Sequence, residues 1–150
     1  MKTIQLDEAI HVIGIELRTS NDEATHTIPP HWQRFSDEGI AGRVPGKRSD
    51  DVYAVYTHFQ NAGRDNQGPY SLVLGVAVDA AADVPAGMVR AVVPVSRRAV
   101  FPVEAGRFDL VGAKWQEIWG RIDLKKTFIA EVERYRADGT IDILVGIEKE

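Results

Sequence analysis

The sequence predicts an α+β fold: a duplicated β-α-β-β module with pseudo-twofold symmetry, an antiparallel curved sheet with two helices on one side, and a ligand cleft between the halves. Three observations predict it. The order strand, helix, hairpin runs twice along 150 residues, a length that suits one domain around one core. Each helical segment carries one apolar stripe, and two such stripes are buried together when the halves join their sheets and the helices cover one side. Each half also closes on an apolar strand holding one glycine, Ser71-Leu-Val-Leu-Gly-Val-Ala77 and Asp142-Ile-Leu-Val-Gly-Ile-Glu148, a weak internal echo.

Residues 3–18 place Ile10, Val12, Ile13, Ile15 and Leu17 in mixed continuous and alternating positions and read as one extended segment, ending at Thr19-Ser20-Asn21-Asp22. Ser20 followed by Glu23 has the form of a capping box, and Ile28, Trp32 and Phe35 then fall on one helix face. This first helix ends near Gly39. Pro29 and Pro30 lack amide donors, so its start stays open between Ser20 and Pro29. Residues 39–50, rich in Gly, Pro and charge, read as a loop. Val52–Phe59 and Tyr70–Val78 alternate β-branched and aromatic residues around the Gly-, Asn- and Pro-containing connection 61–69, which is a hairpin.

The small-residue stretch 80–87 links half-repeats of about 1–79 and 88–150 within the single domain 1–150. Met88–Val103 is expected to be extended. Phe108, Val111, Trp115, Ile118, Trp119 and Ile122 keep helical spacing, and Phe128–Tyr135 and Ile141–Ile147 flank the turn Ala137-Asp138-Gly139. Gly75 and Gly146, inside their strands, predict a bulge or a close contact.

Composition narrows the function. Hydrophobic residues make up 44% and charged residues 27%, which excludes a disordered chain, and a net charge of -4 supplies no basic field for direct nucleic-acid or anionic-membrane binding. Without cysteine there are no disulfides, thiolate metal sites or cysteine nucleophiles. The first ten residues have no signal-peptide pattern and no run of 18 apolar residues occurs, so a cytoplasmic location is expected. His11, His26, His31 and His58 lack metal-binding spacing, and phosphate loops and nucleophile elbows are absent. No metal and no cofactor is expected. Arg97-Arg98 reads as a solvated strand edge or a partner contact.

In the last hairpin, Ile129, Glu131, Glu133 and Tyr135 share one strand face and Phe128, Ala130, Val132 and Arg134 the other. If the second set packs under the helices, Glu131 points into the concave side near the strand centre, where a buried carboxylate calls for a cation. The bland alternative is a wet strand on which Glu131 pairs with Arg134 or a lysine. Tyr56 occupies in the first hairpin roughly the position of Glu131 in the second, and could present a π face and a hydroxyl to a flat cation. Phe59 lies on the same strand segment as Tyr56. Trp32 is expected in the core, whereas Trp115 and Trp119, an i, i+4 pair, are open to core or cleft and both join the candidate set.

Ile28-Pro-Pro-His-Trp-Gln-Arg-Phe35, Tyr53-Ala-Val-Tyr-Thr57, Leu74-Gly-Val-Ala-Val-Asp79 and Lys114-Trp-Gln-Glu-Ile-Trp119 together resemble the GyrI-like, AraC-type effector-binding domain over nearly the whole chain. The resemblance implies a duplicated module with a ligand cleft between halves. It also implies capture of small lipophilic cations by a glutamate of the penultimate strand, at Glu131, with a second acidic residue at Asp142 opening the last strand. Gly146 stands where the family often has proline and Leu144 where it can have an aromatic, so the pocket outline is expected to differ. In multidrug-responsive activators the domain follows a DNA-binding module; here the effector domain is expected to fill the 150 residues, in similarity to stand-alone members, including those of integron gene cassettes.

The resemblance therefore implies ligand binding without catalysis, linked to transcription regulation or resistance, with a separate DNA-binding partner protein conceivable and monomer or dimer open. Two alternatives stay beside it. One is hydrolysis of a reactive small molecule by Glu131 with Glu133 or Tyr56. The other is a protein-partner module, of gyrase-inhibitor type or as one part of a split regulator.

Overall fold

The structure is a computed structural model and describes residues 2–149. Its strands are β1 (Lys2–Leu6), β2 (Ile10–Thr19), β3 (Val52–Thr57), β4 (Tyr70–Val78), β5 (Val89–Val93), β6 (Ser96–Val103), β7 (Ala130–Tyr135) and β8 (Ile141–Ile147). The helices are α1 (Ala24–Asp37), α2 (Ile40–Arg43) and α3 (Val111–Trp119), the last preceded by a 3-10 turn at Phe108–Leu110. All eight strands form one sheet in the order β1-β6-β8-β7-β3-β4-β2-β5, with every neighbour antiparallel.

The expected segments divide where the chain loses its ladder. Residues 3–18 are two strands, broken at the charged Asp7-Glu8, and 88–103 are two strands, broken at Pro94, which has no amide to donate. Their partners lie in opposite halves. β1 pairs with β6 and β5 with β2, so each edge strand caps the half that follows or precedes its own. The expected loop 39–50 contains α2, set off from α1 by Gly39 in the left-handed region (φ 58°), and Ile40 of α2 is buried in the core.

α1 starts at Ala24 rather than at a capping box: Ser20 supplies its carbonyl to the Glu23 amide (3.0 Å), and among the described residues no side chain caps the helix. It continues through Pro29 and Pro30. Buried His31 donates to the Ile15 carbonyl (3.1 Å) and pins α1 to β2. Phe35 and Ile40 cover Ile13, Ile15, Leu72 and Leu74, while Val111, Trp115 and Ile118 cover Ala99, Phe101, Ile143 and Val145. Each helix thus lies over an outer part of the sheet and leaves the central pair β3–β7 uncovered between them.

The reverse face is also buried. Val55, Val73, Val132 and Leu144 pack with Ala91 and Val93 of β5, which lies against β3 and β7 as well as pairing with β2. Gly75 and Gly146 serve close contact, for different reasons. A Cβ on Gly75 would lie 2.1 Å from the Ile13 carbonyl oxygen, whereas on Gly146 it would meet Thr127 Oγ1 at 2.6 Å and the Arg98 guanidinium at 3.1 Å.

Candidate ligand-binding cleft

Between α1 and α3, over β3 and β7, lies a cleft of about 880 Å³. The expectation placed it on the side away from the helices. It lies on the helix side, because Glu131, Glu133 and Tyr135 share their face with Tyr56 and with the helix-covered residues, and Val132 faces the other way. A curved sheet covered by helices only at its ends is open in the middle.

Tyr56 and Glu131 are directly paired across β3 and β7. The Tyr56 hydroxyl nevertheless reaches Glu133, two residues along: it donates to Glu133 Oε2 (2.7 Å), as does the Trp115 indole N–H (2.7 Å), and the Tyr135 hydroxyl donates to Oε1 (2.5 Å). Glu133 is 2% exposed, and among the described residues no Lys, Arg or His forms an ion pair with it. Burial pushes its carboxyl above the ordinary range, against the pull of the Tyr135, Tyr56 and Trp115 hydrogen bonds. Burial next to this carboxylate raises the Tyr56 and Tyr135 phenols as well, so both stay protonated donors.

Glu131 also lines the cleft, but its charge is engaged from below. Its Oε1 accepts the Gly146 amide (3.0 Å) and lies 3.6 Å from Arg98 Nη1. Arg98, expected on a wet edge, is 1% exposed. β7 and β8 pair only from Val132–Leu144 to Tyr135–Ile141, and beyond that Arg98 bridges the parted strands, its Nη1 donating to the Ala130 and Leu144 carbonyls and its Nε to Ser96 Oγ. A guanidinium there replaces ladder bonds that the strands do not make.

Burial pushes Glu131 up to about 7, opposed by Arg98, the Gly146 amide and Lys126. The unfolded chain releases this proton near the ordinary value of 4.5, and the folded protein keeps it to about 7. The native state therefore binds more protons in that window, and stability falls as pH rises through it and levels off above. Urea melts between pH 5 and 8 should show this decline, with a shallower slope in Glu131→Gln. A stability that climbs across the window would contradict it.

Of the remaining predicted residues, Trp115, Trp119 and Phe59 line the cleft and Asp142 does not. Asp142 alternates with Ile141 and Ile143, which face the helices, and so points to the reverse side, where it pairs with Arg134 (3.3 Å) and Arg136 (2.7 Å). Trp32, expected in the core, is half-buried on the cleft wall and meets Tyr135 edge-on at 5.1 Å. Phe108 stacks on Tyr135 (5.6 Å) and Trp119 on Trp115 (6.0 Å), giving the rim two parallel ring pairs. Phe108 and Tyr70 also line the cleft, which the sequence pattern does not indicate. Tyr70 contacts Tyr56 at 5.7 Å and is reachable from sequence only once the β3–β4 register is known. Among the described residues no group of three His, Asp or Glu is placed to hold a metal.

The model of one protein family, the Cass2 integron-associated effector-binding proteins, matches residues 3–147. The chain belongs to that family. Solved structures similar to this effector-binding protein include an integron cassette protein from the mobile metagenome of Vibrio cholerae, with 17% identity, TM-score 0.77 and coverage of 98% of this chain and 95% of that one. SAV2435, solved bound to tetraphenylphosphonium, has 19% identity, TM-score 0.79 and coverage of 98% and 93%. A third is a Staphylococcus aureus MU50 protein described as a candidate transcription regulator, with 16% identity, TM-score 0.75 and coverage of 99% and 97%. At such identities the likeness concerns the fold. No curated protein matches the chain significantly in sequence. Among the described residues, no helix of this effector-binding protein is long and apolar enough to cross a membrane.

Proposed function

We propose that this protein captures small lipophilic cations in the cleft between α1 and α3, with Glu133 as the counter-charge. One observation carries the reading: a buried carboxylate held by three aromatic donors and, among the described residues, by no cation. A buried ionised carboxylate is costly unless a positive group meets it, and an organic cation would offset that cost through charge and through the faces of surrounding rings. Tyr and Trp donors orient Glu133 without neutralising it. Glu131 serves the architecture through Arg98 and is the poorer partner for a ligand, a shift from the sequence expectation.

The symmetric strand order supports descent of the two halves from one duplicated β-α-β-β module, with the cleft at their junction. Binding of tetraphenylphosphonium by a protein of the same fold supports the ligand class. The reading is capture without turnover, since each buried glutamate already has structural donors fixing it. With a net charge of -4, any transcriptional output is assigned to a separate DNA-binding partner rather than to direct contact with DNA.

Tetraphenylphosphonium added to the protein should perturb the fluorescence of Trp115 and raise the melting temperature. Stabilisation at a hundredfold excess over Kd amounts to about 2.7 kcal/mol by mass action. Unchanged fluorescence and melting at millimolar tetraphenylphosphonium would refute cation capture.

A further inference from the structure

Two consecutive prolines stand inside α1, Pro29 and Pro30. Proline has no N–H, so the helical bonds that would reach back four residues to the Thr25 and His26 carbonyls are not made. Carbonyls in this position turn to water or to a ligand. All four residues are exposed, which lets water serve both carbonyls and explains why the helix continues through the prolines.

The two carbonyls differ in place. Thr25 and Pro29 line the cleft, and His26 and Pro30 do not. The Pro29 ring crowds the Thr25 carbonyl and tilts its oxygen outward from the axis, on the strip of α1 that Thr25 and Pro29 share. A backbone acceptor without its helical donor therefore stands on the cleft wall, apart from the floor that carries Glu133.

We propose that this carbonyl is an acceptor subsite that selects, among lipophilic cations, those bearing an amino N–H in addition to their charge. The inference rests on cation capture at Glu133 and adds a second point of recognition to it. An amine conjugated to a cationic ring is a strong donor, and on entering the cleft it loses water that the Thr25 oxygen can replace. A peralkylated cation has nothing to offer that oxygen. A net hydrogen bond of this kind is worth roughly three- to tenfold in affinity.

Proflavine and acridine orange share a planar acridinium, with amino groups on the first and dimethylamino groups on the second. Pro29→Ala supplies an N–H that can bond the Thr25 carbonyl within the helix, and it removes a helix breaker, so the fold is retained. Proflavine affinity should fall in Pro29→Ala by roughly three- to tenfold relative to that of acridine orange and of tetraphenylphosphonium. Pro30→Ala, which restores the bond to His26 off the cleft, should change none of the three. An equal loss for both dyes would reduce Pro29 to a ring contact and overturn the proposal. So would a proflavine loss in Thr25→Val with none in Pro29→Ala, which would place the acceptor on the hydroxyl. Failure of all three cations to bind the unaltered protein would instead sink cation capture itself.

Discussion

Glu133→Gln should abolish high-affinity capture of tetraphenylphosphonium, lowering affinity about 30-fold or more, while the protein stays folded. Removing one charge from a buried, desolvated pair costs about 2–5 kcal/mol of binding, and among the described residues no internal cation pairs with Glu133. The folded state itself loses little. Burial disfavours the charge of Glu133 before any ligand arrives, and the glutamine carbonyl can still accept from Tyr56 or Trp115. Conflict between the new amide N–H and the aromatic donors is offset by the absent desolvation penalty, so the melting temperature should move by only about 2–4 °C, or about 1 kcal/mol. Glu131→Gln provides the contrast, with affinity held within about threefold because its carboxylate answers to Arg98 and the Gly146 amide. Fluorescence titration of the two variants decides between them. Equal losses, or a larger loss at Glu131, would return the counter-charge to Glu131.

Arg98→Met should be among the most damaging single substitutions in the chain, destabilising it by about 3–5 kcal/mol. Arg98 is the largest of the fully buried side chains. Methionine fills part of the volume but leaves Glu131 without its cation and the Ala130 and Leu144 carbonyls without their donor. Adding Glu131→Gln should recover a substantial part of the loss, since removing both members of a buried pair is far milder than removing one. Urea melts of both singles and the double form the cycle that measures the coupling. A loss under about 1 kcal/mol in Arg98→Met would mean that the guanidinium is solvated and structurally idle.

Local pattern was enough for much of the framework. The stripes Ile28, Trp32, Phe35 and Val111, Trp115, Ile118 mark the two helices, and the hairpins at 52–78 and 130–147 follow from alternation and turn residues. What pattern could not reach was pairing at a distance. Residues 3–18 and 88–103 read as continuous because apolar content continues, yet β1 and β5 each leave for the opposite half, a matter of edge satisfaction that no short window contains. Arg98 was misplaced for the same reason: a charge pair beside a strand is usually solvated, and only the parting of β7 from β8 creates a buried gap that a guanidinium fills.

By itself the sequence determined that two carboxylates and a tyrosine share a strand face, and that aromatics at helical spacing accompany them, because side-chain alternation is a property of the strand alone. Only the tertiary structure decided which carboxylate lies beside an internal cation and which is held by aromatic donors. Tyr56 stands opposite Glu131 in the ladder but bonds Glu133, and Trp115 descends from a helix to the same oxygen. Charge at a buried site is governed by what long-range packing brings within a few ångströms, and strand periodicity carries no record of that.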